Sequence, residues 1–516
     1  MAIDATNPQG ARIAPDRLTR GQQAATLVAV ALASVMLPLA VTAPAVALTQ
    51  LAADLDASVG EAQWVQNAYN VTFAAFMLAA GGLADRFGRR RILVVGLVVF
   101  TAMATVIGLS SNIIVIDIAR AVQGVGAAGI MTSGAAILAD AFRGAARARA
   151  FGVLGTSFGF GLAMGPFVAG LMVNFLNWRM VFLMNLVFAA VVLLLVRSLR
   201  ESSDPDATSV DWGGVITFST SLFLLSMAFV QGAETGWLSA GAIGSAVGFV
   251  LFLAAFVVVE SRVRRPMFDL SLFTRPTFVV VVCQPFTITF GFVVLLVYLP
   301  PFFQGVGGFG AAEAGALLLP LTLPVLALPM LAGQLAARIP LRFMLATSSL
   351  LIAGGSLWLM VLQPGQPWTA LAAPLAVFGV GVGSAFGVMD NAALSSVEVE
   401  RAGMASGIFN TMRIAGESVA IAGAGSLLAT LSLRGLDLPF ATTEQERVLA
   451  GEATQGRLDT ALGQFASADR DSALEAVSAS LTSAMHTAFL GLALLALAGA
   501  VVTFLVVKES ELRKAG

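Results

Sequence analysis

Long apolar runs separated by short charged or turn-rich breaks make up most of the chain, and no short segment alternates apolar and polar residues as a strand would. A helix that crosses a bilayer takes about 20 largely apolar residues. Runs of that kind lie near 24–48, 62–83, 92–110, 113–139, 149–174, 178–197, 213–231, 239–260, 277–303, 313–337, 341–362, 369–396, 403–430 and 482–507, which predicts fourteen transmembrane helices. Runs this long favour helices over a membrane barrel, whose strands are about half that length and alternate. Span two opens differently. Gln63, Gln66, Asn67 and Asn70 recur three or four apart, so one helical face is polar and suits a water-filled cavity. Phe286, Phe290, Tyr298 and Phe386 lie in later spans and are candidates for aromatic contacts to a lipophilic substrate in the same cavity.

Composition agrees with this pattern and narrows it. Of the 516 residues, 58% are hydrophobic and 11% charged, against about a quarter charged in soluble domains; the mean hydropathy is +0.88. The chain is expected to be an all-α polytopic membrane protein in contact with the lipid bilayer. The net charge of -1 says little, because the distribution of charge matters more. With the N-terminus inside, the other side holds only Arg179, Arg434, Arg447, Arg457 and Arg470. Nearly all remaining Lys and Arg fall in cytoplasmic segments. This positive-inside bias predicts both termini in the cytoplasm and a multi-pass protein of the bacterial cytoplasmic (inner) membrane. The first 23 residues have no apolar core, and the first span is too long for a signal peptide. The single cysteine, Cys283, lies in a predicted span and permits neither an intrachain disulfide nor a cysteine metal cluster. The lone histidine, His486, reads as a boundary residue of the last span. The only lysines are Lys508 and Lys514, which excludes a G-x-x-x-x-G-K-[S/T] nucleotide loop. No enzymatic activity, metal, cofactor or nucleic-acid partner is expected.

Internal repeats organise the spans. "GGLADRFGRRRIL" at 81–93 has a degraded echo in "AGQLAARIPLRFML" at 332–345, and "GVGAAG" at 124–129 is echoed by "GVGVGS" at 379–384, at nearly equal offsets. Two pseudo-symmetric six-helix bundles with two helices inserted between them follow. The boundaries are a cytoplasmic N-terminal segment, 1–23; an N-terminal bundle, 24–200; a linker with the two additional helices, 201–276; a C-terminal bundle, 277–507, including an external loop, 431–481, with a possible short helix; and a cytoplasmic tail, 508–516.

Several motifs carry chemistry. In the short loop "GGLADRFGRRR", Asp85 at a helix end can meet arginines or the positive end of a neighbouring helix dipole. Gly81, Asp85, Arg86, Gly88, Arg89 and Arg90 are therefore candidates for a conformational latch. In "GFGLAMGPFVAG", at 159–170, Gly161 and Gly165 form a small-xxx-small face and Pro166 removes a helix hydrogen bond. Together with Gly152 and Gly170 they predict a packed, bent hinge.

These stretches, with "IARAVQGVGAA" at 118–128, "NWRMVFLMN" at 177–185 and "RAGMASGIFNTMR" at 401–413, resemble the motifs of the major facilitator superfamily, in particular its fourteen-helix drug:proton antiporters. The resemblance runs through nearly the whole chain. It implies the major facilitator fold, alternating access, a proton or substrate role for Arg120, and Gln123 beside it in the cavity. There is one departure: where that branch usually carries an acid in span one, "LAVTAPAVALT" has Ala40.

Charges inside spans are costly and are functional candidates by default. Arg120 has Asp117 one turn above it, within reach of a local ion pair; Arg413 and Glu417 are spaced to pair at i,i+4 in span thirteen; Asp390, in span twelve, has no basic residue within a turn. Asp390, Glu417, Arg120 and Arg413 are the proton-coupling candidates, and Asp390 is expected to be the easiest to protonate. The expected function is secondary active, proton-coupled export of amphiphilic drugs or toxic small molecules by a monomer. Export of an endogenous metabolite, siderophore or lipid competes with it, and a non-transporting receptor or scaffold is the alternative from a different class.

Overall fold

The computed structural model describes residues 19–512 except 204–210, 264–267, 269, 337, 368 and 398–401. The first 18 residues of the N-terminal segment and the end of the tail therefore lie outside the described residues. The first half comprises α1 (Arg20–Asp54), α2 (Val59–Phe87), α3 (Arg89–Leu109), α4 (Ile113–Ala141) and α5 (Gly144–Phe175), then α6 (Arg179–Leu183) and α7 (Asn185–Val196), which together make one span. The inserted pair is α8 (Trp212–Thr235) and α9 (Ala240–Arg262).

In the second half three spans are broken into consecutive helices. These are α10 (Pro276–Thr287) with α11 (Thr289–Gly305), α12 (Ala311–Ala316) with α13 (Leu319–Leu335), and α15 (Thr369–Phe386) with α16 (Met389–Ser395). Between and after them come α14 (Leu341–Trp358), α17 (Ala402–Arg434), α18 (Thr443–Thr454), α19 (Leu458–Leu462), α20 (Arg470–Val506) and α21 (Glu509–Leu512).

Thirteen spans among the described residues are long and apolar enough to cross a membrane. α2, lowered in hydropathy by its polar amides, supplies the fourteenth. Local sequence sets the starts of many helices: Thr19–Gln22, Ser58–Glu61 and Thr442–Gln445 form capping boxes at α1, α2 and α18, and Asn112, Asp211 and Ser239 cap α4, α8 and α9. α20 begins well before the predicted last span, so His486 lies inside a helix, with Nε2 2.7 Å from the Leu362 carbonyl.

The glycine echo has a structural cause. A Cβ at Gly124 would lie 2.4 Å from the Tyr69 carbonyl of α2, and one at Gly126 would lie 2.8 Å from the Gly96 carbonyl of α3. In the second half, a Cβ at Gly379 would lie 2.1 Å from the Leu321 carbonyl of α13 and one at Gly381 2.7 Å from the Ser348 carbonyl of α14. α4 and α15 thus sit between the second and third spans of their own bundles. Close backbone approach replaces the hydrophobic drive that is missing in lipid. The inserted α8 and α9 pack on each other, with α8 lying against α2 and α17. The bundles meet where α1 touches α11, α2 touches α17, and α5 touches α12 and α13.

Candidate functional site

Two prolines in α1 shape the core of the first bundle. Pro44 has no N–H to give the Ala40 carbonyl four residues back, and that carbonyl accepts a hydrogen bond from Arg120 Nη2 at 2.9 Å. Arg120 Nε donates to the Val65 carbonyl at 2.7 Å and Nη1 to Gln123 Oε1 at 2.9 Å, while the guanidinium lies over Tyr69, 4.3 Å from the ring centre. The side chain is fully buried. The expected Asp117 pair does not form: the guanidinium turns toward the opened α1 backbone, and Asp117 Oδ1 has no hydrogen-bond partner. Gln123 also departs from expectation. It is fully buried, holding Arg120 and directing Nε2 to the Phe100 carbonyl of α3, so it lies inside the bundle and not on the cavity wall. Gln66 bonds the next backbone pair of α1, beside the Pro44 gap: with its amide oriented to match its neighbours, it donates to the Val41 carbonyl at 3.0 Å and accepts from Ala45 N at 3.2 Å.

The glycines of α5 divide along its length. A Cβ at Gly161 would lie 2.3 Å from the Val35 carbonyl and one at Gly165 2.0 Å from Thr42 Oγ1, so both seat α5 on α1. Gly170 faces the Ala311 carbonyl of the other bundle at 2.5 Å, and Gly315 returns the contact to the Pro166 carbonyl at 2.5 Å. Gly152, near the other end, has nothing within 4 Å, so tight packing does not reach it, and α5 is one unbroken helix across Pro166.

The second bundle supplies a different cluster. α15 ends at Phe386 and α16 restarts at Met389; between them Gly387 packs on α13, where a Cβ would lie 2.3 Å from the Pro329 carbonyl. Asp390 therefore sits inside the span Thr369–Ala393 but in the first turn of a separate helix. The sequence expectation for its partner is overturned: Arg413 Nη1 lies 3.8 Å from Asp390 Oδ1, brought there by α17. Arg413 also donates to Asn410 Oδ1 at 2.6 Å and lies over Phe158 of α5, 4.3 Å from the ring centre, crossing between bundles. Glu417, one turn along α17, is fully buried, and neither of its oxygens has a hydrogen-bond partner. The i,i+4 pair with Arg413 does not form.

Around this cluster, Tyr298 donates to the Ile421 carbonyl at 2.5 Å, Phe286 faces Gly416, and Phe290 and Tyr298 both pack against Val294, Ala420, Ala424 and Leu492. Phe386 lies edge-on to Phe292 and against Gly159 of α5. Asn67 lines a cavity with Gln63, Gln66 and Tyr298, and its Oδ1 is without a partner. Asn70 is fully buried, and its amide bonds its own helix at the Gln66 carbonyl.

At the arginine-rich face, Arg89 links Asp85, through Nε at 3.0 Å and Nη2 at 2.9 Å, to Asp140 of α4. Gly88 takes φ +110 between α2 and α3, and a Cβ there would also strike Glu201. Glu201 caps α3 through Arg90 N at 3.0 Å, and Arg86 stacks on Phe87. Gly81 has nothing within 4 Å, so the helix approach expected there is absent. Sequence reasoning missed Asp140 and Glu201, and also Glu509, which accepts from Leu341 N and Arg342 N at the start of α14. A signal was present: Arg200-Glu201 and Lys508-Glu509 end the two halves in the same way.

Two bundles joined across a polar and aromatic seam, with buried charges at the seam, define a membrane transporter rather than an enzyme. The chain belongs to the Major Facilitator Superfamily, whose family model matches residues 28–421. It is 32% identical over 377 residues to the multidrug resistance protein Stp of Mycobacterium tuberculosis, covering 72% of this chain and 70% of Stp. It is 29% identical over 426 residues to the tetracenomycin C resistance and export protein of Streptomyces glaucescens, covering 82% and 79%. The fold matches a bacterial homologue of the lysosomal transporter Spinster, solved inward-facing and unoccupied, with a TM-score of 0.64 at 16% identity over 95% of this chain and 98% of that one. A D-xylose–proton symporter matches with a TM-score of 0.59 at 14% identity, covering 95% and 98%.

Proposed function

We propose that this chain exports amphiphilic small molecules from the bacterial cytoplasm in exchange for protons, as a monomer in the cytoplasmic membrane with both termini inside. The arginine-rich face is then the cytoplasmic one. The reading is supported by the names of its relatives and, above all, by Glu417, a fully buried carboxyl at the bundle seam with neither oxygen bonded. A buried charge of this kind needs a partner that the resting protein does not provide. A proton in one state and a cationic or polar substrate group in the other meet that need. Asp390 and Arg413 form the neighbouring pair that Glu417 perturbs when its charge changes, and Arg413 passes the change to Phe158 of the other bundle. Asp85, Arg89 and Asp140 act as the latch that holds α2, α3 and α4 together at the cytoplasmic face. Export of a self-made metabolite is the second reading, favoured by the similarity to a tetracenomycin C exporter.

The test is proton release when ethidium is added to the detergent-purified protein. Wild type should release protons, Glu417→Gln should release none while still binding dye, and Asp390→Asn should release protons with altered affinity. Undiminished release by Glu417→Gln would remove Glu417 from the proton path.

A further inference from the structure

The external segment between α17 and α20, by its sequence a polar loop with room for a short helix, forms two, with a small core of their own. Leu449, Ala450 and Ala453 of α18 and Leu458 and Ala461 of α19 are buried, and Phe440 meets Phe465 edge-on at 5.9 Å. Its packing is with its own bundle, since α18 lies against α11, α17 and α20. At the turn between the two helices Gly456 takes φ +75, and a Cβ there would lie 2.7 Å from the Pro301 carbonyl of α11, so glycine is required on both counts.

This turn also reaches the other bundle. The Gln455 carbonyl accepts from Thr49 Oγ1 of α1 at 3.0 Å, and Arg457 Nη2 donates to the Ala57 carbonyl between α1 and α2 at 3.0 Å. Arg457 is aimed there by a buried two-point pair with Glu452, Nε to Oε2 at 2.6 Å and Nη2 to Oε1 at 2.8 Å. Burial raises the Glu452 carboxyl from its ordinary value and the Arg457 charge opposes the rise, so the carboxylate depends on its partner. Beneath the turn, Thr454 and Gln455 roof the cavity lined by Gln66, Asn67 and Tyr298.

We propose that the Thr454–Arg457 turn is the outer gate of the transport cavity, carried by the second bundle, fastened to Thr49 and Ala57 of the first, and released each time the cavity opens outward. Arg457 is a positioning residue, held by Glu452 in the orientation that reaches Ala57. The proposal goes beyond the export reading and rests only on its assignment of the outer face. The fastening suits a gate: the turn is tied to its own bundle by packing and by chain connections at both ends, and to the other through polar contacts such as these two hydrogen bonds.

The test uses the full-length protein in proteoliposomes. In a Cys283→Ala background, Thr49→Cys and Gln455→Cys are bridged by a short, reducible thiol cross-linker, and ethidium counterflow is followed before bridging, after it, and after reduction. The expected result is counterflow before bridging, a fall of roughly tenfold or more when the gate cannot leave the first bundle, as tight coupling of alternating states requires, and recovery on reduction. Equal counterflow in bridged and reduced protein overturns the gate. Absence of counterflow before bridging counts against the transport reading instead. A second measurement follows labelling of Asn67→Cys by a membrane-impermeant maleimide from outside. Arg457→Gln should speed it by roughly tenfold, as loss of one partner of a buried charge pair does to a closed contact, and Arg457→Lys should restore part of the protection. An unchanged labelling rate in Arg457→Gln, with the variant still folded, overturns the role of Arg457.

Discussion

Two buried arginines, one in each bundle, are treated in opposite ways. Arg120 has three acceptors at 2.7–2.9 Å and an aromatic face beneath it. Among the described residues Arg413 has one hydrogen bond, from Nη2 to Asn410, a carboxylate at 3.8 Å, and an Nε with no hydrogen-bond partner. The first is a cation whose donors close a gap opened by proline in α1, tying α1, α2 and α4 together. The second is a cation left short of partners beside a carboxyl, Glu417, that has none. A saturated charge builds a frame, and an unsaturated one can respond when a proton or substrate arrives. The resemblance to drug:proton antiporters implied a transport step for Arg120; its three donated hydrogen bonds favour a supporting role, and we propose that the responsive charges are those across the seam.

The sharpest way to break this contrast is Arg120→Gln. It leaves the Ala40 carbonyl, which has no helical donor, and Gln123 Oε1 without their donor, and buried polar groups left unmatched cost about 1–3 kcal/mol each. A loss of about 3 kcal/mol in an SDS-titration unfolding assay is expected, together with poor recovery of folded protein. A variant as stable as wild type would show that Arg120 is not a frame element.

Arg413→Gln should cost far less stability, about 1 kcal/mol, in the range of ordinary interhelical polar contacts in membranes. It should still remove counterflow, because the Asp390 contact and the Phe158 contact go together. If it destabilised the protein as much as Arg120→Gln, both arginines would be structural and the contrast would fail.

The sequence made much of the frame legible. Span lengths, the glycine echo and the "GGLADRFGRRR" loop are local or periodic signals, and the helices follow them. Pairing across helices was not legible. Arg413 stands four residues from Glu417 on α17, yet the fold brings Asp390 of α16 to it instead. The role of Ala40 was hidden for a similar reason. The sequence shows a missing acid, but only the fold shows that its carbonyl, freed by Pro44, accepts a hydrogen bond from Arg120. The outer turn left no periodic trace at all, since polar contacts such as that of Arg457 with the Ala57 carbonyl follow no repeat in the sequence.

The smallest expected effect on stability, and the one that refines the contrast most, belongs to Glu417→Gln. An amide of nearly the same shape replaces a carboxyl that makes no hydrogen bond, so nothing is lost in the resting protein. A charged acid inside a span costs roughly 2.5–3.5 kcal/mol on insertion scales, so stability should hold within about 0.5 kcal/mol or rise, the pattern in which a functional group is kept at the expense of stability. Uphill ethidium transport under an imposed pH gradient should disappear in the same variant. The two results must occur together, because each alone has an ordinary explanation: a silent substitution or a damaged fold. A stability loss above about 1 kcal/mol, the size of an ordinary interhelical polar contact, would mean that Glu417 supports the fold after all. In that case the second bundle would be framed as fully as the first.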